Sequence, residues 1–329
     1  MSAITPERLL LILSRLAPGE PVGIQELAEL AAVPAAALDA MLPELVDHGV
    51  RQRRDGSLRV PGGVDLLDAG RICSVVQATV PTAPHIEVLG VAGSTNDLAR
   101  AHIEAGGSAP AVILAEAQTA GRGRRGRAWS SPVASNIYLS QIEALDGGLE
   151  AAAGLSLAVG VAVADAIEVV TAVPVALKWP NDLLANGYKL GGILVELLAS
   201  GTACYAILGI GINVRVPAYT SVGIDQAWID LSQASGGPVE RNLLAATIIT
   251  HLHQMLERFR QRGFDAELRR RWQARDPFFD RRVVARSEQG EIRGWGRGID
   301  VRGEFVIDTA SGIMTVGAGD VSLRLEEQA

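Results

Sequence analysis

The segment Gly121–Trp129, GRGRRGRAW, sets four arginines (Arg122, Arg124, Arg125, Arg127) among three glycines in a chain whose formal net charge is −7. Guanidinium groups this close repel one another and gain nothing in a core. They are also forked donors that match carboxylate and phosphate oxygens. The glycines let the backbone bend sharply and let a ligand come close to the main chain. Together they predict a loop that closes over an anion and orders as its charge is neutralised. The competing reading is a basic surface patch for nucleic acid or targeting. Context favours the loop: the apolar run Ala111–Ala117 leads in through Gln118, and Trp129 closes the segment.

A later stretch carries the same demand for an anion. KLGGILVE (Lys189–Glu196) opens an apolar strand with a lysine. An interior-facing ammonium is costly unless it meets a negative partner. KWPND (Lys178–Asp182) on its own reads as a strand ending in a turn. Ser94-Thr95-Asn96-Asp97 has the composition of a helix N-cap, and the free N–H groups there join side chains that both donate and accept. ILGIGIN (207–213) ends a strand in glycines and Asn213. It lacks GxGxxG, and the chain has no GxxxxGK[ST], so a bound nucleotide is held by neither common device. Five scattered histidines and two cysteines offer no metal-ligand spacing.

In their order along the chain, GRGRRGRAW, KWPND and KLGGILVE resemble the signature of the biotin–protein ligases, and the resemblance runs the length of the chain. It is strongest to the bifunctional type that also represses the biotin operon. The resemblance implies a substrate site for biotin formed by Ser94, Thr95, Asn96, Gln118, Arg122, Gly123, Arg124 and Lys189, with a wall from Gly191, Gly192 and Ile193. It implies a nucleotide site formed by Arg125, Arg127, Trp129, Lys178, Asn181, Asp182, Asn213, Trp228 and Arg324. Lys189, Arg124 and Asp182 are the expected catalytic groups, with Asp182 holding ribose or magnesium, and residues 214–228 form the expected adenylate loop. ATP, biotin and Mg2+ are the implied small molecules. The biotin carboxyl carrier subunit of acetyl-CoA carboxylase is the implied partner, alongside homodimerisation. The implied reaction activates the biotin carboxylate as biotinyl-5′-AMP and passes it to a lysine amine. Two rivals stay open: a lipoate or octanoate ligase, and a biotin-responsive regulator without ligase activity.

The elements that must position these residues predict an α+β chain with divisions at 1–63, 64–276 and 277–329. Three helices (6–17, 24–31, 34–48) and a hairpin at Asp55-Gly56 predict a winged helix-turn-helix. Its third helix offers Ala35, Ala36, Ala37, Asp39 and Ala40 where base-reading side chains are needed, and holds Pro43, so the expected DNA binding is weak. The centre alternates helices and strands, which predicts a mixed sheet backed by helices. Five short β-prone runs after Arg281 predict an SH3-like small barrel. With 48% hydrophobic and 20% charged residues, no basic n-region before an apolar core, and only Cys73 and Cys204, the chain reads as a cytoplasmic globular protein with no membrane role. The uncharged run Ala151–Ala164 reads as a buried helix.

Overall fold

The computed structural model describes residues 5–200, 203–218, 227–287, 290–319 and 321–326. Residues 219–226 of the expected adenylate loop lie outside them, as does Gln289, whose pair with Gly290 is one of the turn signals that separate the β-prone runs after Arg281. The chain opens with α1 (Pro6–Leu16), capped by Thr5, and α2 (Ile24–Leu30). The single helix expected over 34–48 is two, α3 (Ala35–Ala40) and α4 (Leu42–Asp47), with Met41 at the junction. Pro43 is the cause: in the first turn of α4 its missing N–H costs nothing, whereas mid-helix it would break a bond. Strands β1 (Arg51–Gln52) and β2 (Leu58–Arg59) form the wing, turning through Gly56 at φ 81°.

After α5 (Ala69–Gln77) comes the central sheet: β3 (His85–Ala92), α6 (Thr95–Glu104), β4 (Ala111–Gln118), β5 (Ile137–Leu145), α7 (Leu155–Thr171), β6 (Ala176–Lys178), β7 (Asp182–Ala185), β8 (Tyr188–Ser200) and β9 (Ala203–Ile212). The sheet order is β3-β4-β5-β9-β8-β7-β6. β3 and β4 run parallel across the α6 crossover, and the other neighbours are antiparallel. Helices α8 (Leu231–Ser235), α9 (Arg241–Arg262) and α10 (Ala266–Gln273) follow.

Strand periodicity sorts side chains between two faces. Val112, Leu114, Ile137, Leu139, Leu208 and Ile210 join the core beneath α5, α7 and α9. Ile113, Ile142 and Ile207 face α6 through Ala99 and Ile103. Residues 149–171 do not form one helix: a 3-10 turn precedes Gly154, whose φ of 73° starts α7. The Glu150–Thr171 stretch is apolar and long enough to cross a membrane by length and composition, yet its α7 part is a core helix, buried without a break from Leu157 to Ala164.

The C-terminal strands are β10 (Arg282–Ser287), β11 (Gly290–Ile299), β12 (Phe305–Thr309), β13 (Gly312–Val316) and β14 (Ser322–Leu325). They correct the expected barrel. The order β13-β12-β11-β10-β14 is an open sheet whose end strands, β13 and β14, do not pair with each other. Its apolar face is used elsewhere: Val283, Ala285, Phe305 and Ile307 pack in the main core with Trp179, Trp272 and Phe278. Trp179 packs against Phe305 with ring centroids 5.9 Å apart and planes tilted by 48°, and donates its Nε1–H to the Gly303 carbonyl at 3.1 Å. A sheet that spends its inner face on a neighbour has no interior left to wrap around.

At this junction Asp276 is half-buried, and its Oδ2 is wholly buried with no partner among the described residues. Burial pushes its pKa up to about 7, against the Phe278 N–H that favours the anion. Between the unfolded value near about 3.9 and about 7 the native state holds more protons, so stability falls as pH rises through that window. Asp276→Asn keeps the bond from Phe278 and removes the charge. It is expected to melt higher than the parent at pH 8 and to lose that advantage at pH 4, checked by thermal denaturation at both.

Candidate active site

The arginine-rich loop is a small hairpin. The Gly123 N–H donates to Arg127 O at 2.8 Å and the Trp129 N–H to Gly121 O at 2.9 Å. Arg125 turns it with φ 60°, ψ 30°. Its arginines point to different partners. Arg122 grips Asp97 at the start of α6 with two bonds, one of 2.6 Å, and that guanidinium holds the Asp97 carboxyl below the usual carboxylate range. Arg124 reaches Asn181 Oδ1 at 3.3 Å and the carbonyls of Ala318 and Gly319, the latter at 3.0 Å. Arg125 also reaches Gly319 O, at 3.2 Å. Ala318 and Gly319, which follow β13, are thus pinned to the loop.

Trp129 lies across strands whose periodicity puts glycine beneath it. A Cβ on Gly211 would stand 2.7 Å from its ring, and one on Gly192 would stand 3.6 Å away. Only glycine at 211 leaves room for the indole. Lys189 Nζ sits 5.6 Å from the ring centroid and 2.7 Å from Asp182 Oδ1. The same lysine's backbone holds the returning chain: Lys189 N–H donates to Ala227 O and Ile229 N–H to Lys189 O, which sets Trp228 alongside it. Trp228 is half-buried. Asn213 closes the base of this connection, its Nδ2 donating to Ile229 O at 3.3 Å.

Lys178 faces the same space. Burial pushes its pKa down, with Lys189, Arg324 and Arg127 adding to the effect and Asp182 opposing it. Asp182 is therefore one carboxylate amid several cations, an arrangement that calls for a further anion. Asn181 is held by Ile193, through its Nδ2 to Ile193 O at 2.8 Å and Ile193 N–H to Asn181 O at 3.0 Å. Ile193's side chain packs with the core on the opposite face, near Gly160 of α7, and so does not wall this space. Gly191 serves close strand approach, since a Cβ there would lie 2.6 Å from Gly211 O.

Beside the cations runs a buried polar row. Ser94, Thr95 and Asn96 are 3%, 4% and 6% exposed. Gln118 Oε1 accepts from the Thr95 N–H at 2.9 Å and lies 3.2 Å from Thr95 Oγ1, while Gln118 Nε2 donates to Ser131 Oγ at 3.1 Å. Ser131 in turn donates to Trp129 O, joining the row to the cationic cluster. Ser140 Oγ lies 2.8 Å from Thr95 Oγ1 and 2.6 Å from Asn96 Oδ1, and Asn96 Nδ2 donates to Glu196 at 2.6 Å. Asn96 rests on Gly209, where a Cβ would approach to 2.4 Å. Sequence reasoning missed Ser131, Ser140 and Asp97 as members. A polar residue at the α6-facing position of β5, and glycines at alternate positions of β9, were the signals available.

Comparison with known proteins gives the class first. Residues 90–213 match the biotin/lipoate A/B protein ligase family and residues 278–324 the biotin protein ligase C-terminal domain. The bifunctional ligase/repressor BirA of Salmonella typhimurium is 38% identical over 321 residues, covering 97% of this chain and 98% of that protein. The biotin–[acetyl-CoA-carboxylase] ligase of Mycobacterium tuberculosis is 35% identical over 72% of this chain and 88% of its own length. Among solved structures, the Aquifex aeolicus biotin protein ligase in complex with biotin and ATP is 28% identical, with a TM-score of 0.62 over 74% of this chain and 99% of that one. The chain belongs to the biotin protein ligase family, and within it to the branch that carries a winged helix ahead of the ligase body.

Proposed function

We propose that this chain is an ATP-dependent ligase that joins the carboxylate of biotin to a lysine amine on a biotin-acceptor protein. The observation that carries the reading is the Lys189–Asp182 pair with Lys178 beside it, Arg124 on the neighbouring Asn181 and Arg127 within electrostatic reach of Lys178, on a glycine-floored face beside a buried polar row. A free carboxylate does not acylate amines at neutral pH. Its oxygen attacks the α-phosphorus of ATP, the bond to the β-phosphate oxygen breaks, and biotinyl-5′-adenylate and pyrophosphate result. The acceptor amine then attacks the acyl carbon, AMP leaves, and the ammonium proton is lost.

For the first step the protein must hold two anions together and keep water from the mixed anhydride. Lys189, Arg122 and Arg124 neutralise the carboxylate and the developing acyl-phosphate. The row Thr95, Asn96, Gln118 faces the ureido ring, and Ser94 and Gly123 belong to the same binding surface. Trp129, whose buried Nε1–H has no partner among the described residues, covers the reacting groups with Trp228. Arg125, Arg127, Lys178, Asn181, Asn213 and Arg324 surround the nucleotide. No group of three His, Cys, Asp or Glu among the described residues could hold a metal, so Mg2+ fits as the ion that ATP brings. Asp182 is the carboxylate that would hold it, and the ion would neutralise phosphate charge.

The test is incubation with ATP, an acceptor domain, and either labelled biotin or lipoate. Label on the acceptor lysine with biotin alone supports the reading. Label with lipoate would favour the lipoate rival, and none with either would favour the regulator without ligase activity. Divisions near 63/64 and 276/277, an acetyl-CoA carboxylase carrier as acceptor, homodimerisation and a cytoplasmic setting belong to the same proposal.

DNA binding is proposed to be weak. α3 spans six residues and presents Ala36, Asp39 and Ala40 to solvent, while Arg51, Arg53, Arg54 and Arg59 of the wing are exposed. Phosphate contacts from a wing position a protein without reading sequence. Titration against the biotin-gene promoter and a scrambled duplex at near-physiological salt is expected to give similar, salt-sensitive affinities. A preference of about 10³ or more would show that α3 reads bases.

A further inference from the structure

Glu196 has no role in the chemistry above, yet it ends the buried polar row. It lies on β8 with its side chain on the α6 face, 26% exposed, accepting from Asn96 Nδ2 at 2.6 Å and from Arg100 at 3.5 Å. An ionised carboxylate can only accept, so the Asn96 atom facing it must be the amide NH2. That fixes which way the carboxamide points, and Oδ1 is turned towards Ser140.

The consequence appears on counting hydrogens. From Asn96 Oδ1 to Gln118 Oε1 the row passes through the hydroxyls of Ser140 and Thr95. The three contacts, of 2.6, 2.8 and 3.2 Å, have only those two hydroxyl hydrogens to fill them. Ser140's one hydrogen faces two acceptors. The row is short of a donor, and a cyclic urea offers N–H groups. With a neutral amide at 196, Asn96 is free to turn its NH2 towards Ser140, and the row then balances without a ligand.

We infer that Glu196 is a positioning residue for biotin. By holding Asn96 oxygen-inward it keeps the row acceptor-rich and selects ligands that donate from a ureido ring. The inference rests on the biotin reading above and adds the residue that enforces it. The charge acts through orientation, so reversing the polarity of the pair must preserve what removing it destroys.

The experiment is biotin titration by calorimetry on the full chain, with adenylation kinetics, for the parent, Glu196→Gln, Asn96→Asp and the double variant. Glu196→Gln is expected to weaken biotin binding by about tenfold, raising KM for biotin while kcat and KM for ATP stay near the parent. Asn96→Asp sets carboxylate against carboxylate and is expected to lose about 100-fold. In the double variant the new amide donates to the new carboxylate, whose other oxygen still accepts from Ser140, and affinity recovers to within about threefold of the parent. Parent-like binding by Glu196→Gln, or a double variant no better than Asn96→Asp alone, overturns the inference. A parent chain that binds no biotin overturns the ligase reading itself.

Discussion

Lys189→Ala is expected to slow biotinyl-adenylate formation by about 10² to 10³, the usual cost of losing one charge that stabilises a transition state. The lysine side chain is 20% exposed and its partner Asp182 16%, so both sit in a protected space rather than on open surface. The Nζ lies over Trp129, and its own backbone ties down Ala227 and Ile229. Those backbone bonds do not depend on the side chain, so the variant keeps its strand register and the end of the 214–228 connection. Asp182 is not left alone either, because Lys178 attracts it. The fold is therefore expected to survive a change that stops the chemistry. Pyrophosphate release in single-turnover mixtures and thermal melting separate the two. Equal adenylation rates in parent and variant would remove Lys189 from the reaction.

Arg124→Gly is expected to have a different signature: adenylation slows less than in Lys189→Ala, and the intermediate escapes. Arg124 spans Asn181 on one side and the Ala318 and Gly319 carbonyls on the other. It therefore clamps the loop to the C-terminal sheet across the mouth of the site. Glycine removes three bonds at once and loosens the hairpin backbone. Released biotinyl-adenylate acylates any exposed amine, so bystander protein added to the mixture should gain biotin at many lysines. Labelling confined to the acceptor would assign retention to another arginine. Because Arg125 also reaches Gly319, Arg125→Gly is the informative comparison, expected to leak less.

Much of this site is legible in the sequence because its motifs are short and their residues adjacent. GRGRRGRAW, KWPND and KLGGILVE each deliver two or more members from one stretch, and the sheet register brings them together. What could not be read depends on partners far apart in the chain. Ser140 and Asn96 are 44 residues apart and Asn96 and Glu196 are 100 apart, and no local pattern links them. Ile193 was assigned to the pocket from its motif, but the face a strand residue occupies depends on the neighbouring strands and the bulge at Leu183/Leu184. The barrel failed for a related reason. Turn signals and alternation give strands, while closure depends on whether the two edges meet, and here the inner face went to Trp179 and Phe278. Pro43 marks a break in the sequence, and in the fold that break is the start of a second helix, with Leu38 before it and Leu45 after it buried in one cluster.

The small hydrophobic cluster of the first sixty residues does not end at Pro61-Gly62-Gly63, where the first division falls. Ala117 and Val133 from the ligase body are buried within it, and Val91 and Ala134 pack against it. Leu10 of α1 nestles so near Gly90 of β3 that a Cβ there would stand 2.8 Å from its methyl, and Arg215 donates to the last carbonyl of α4, Asp47 O, at 3.2 Å. The winged helix is accordingly a graft and not a bead on a string. Modular exchange, in which such a head is gained, lost or swapped between ligases, is not free at this joint. A chain cut back to residue 64 would bare an oily patch beside the strand that feeds the arginine loop. A minimal ligase made from this sequence needs that scar repainted with polar residues, at Val91 and Val133 first.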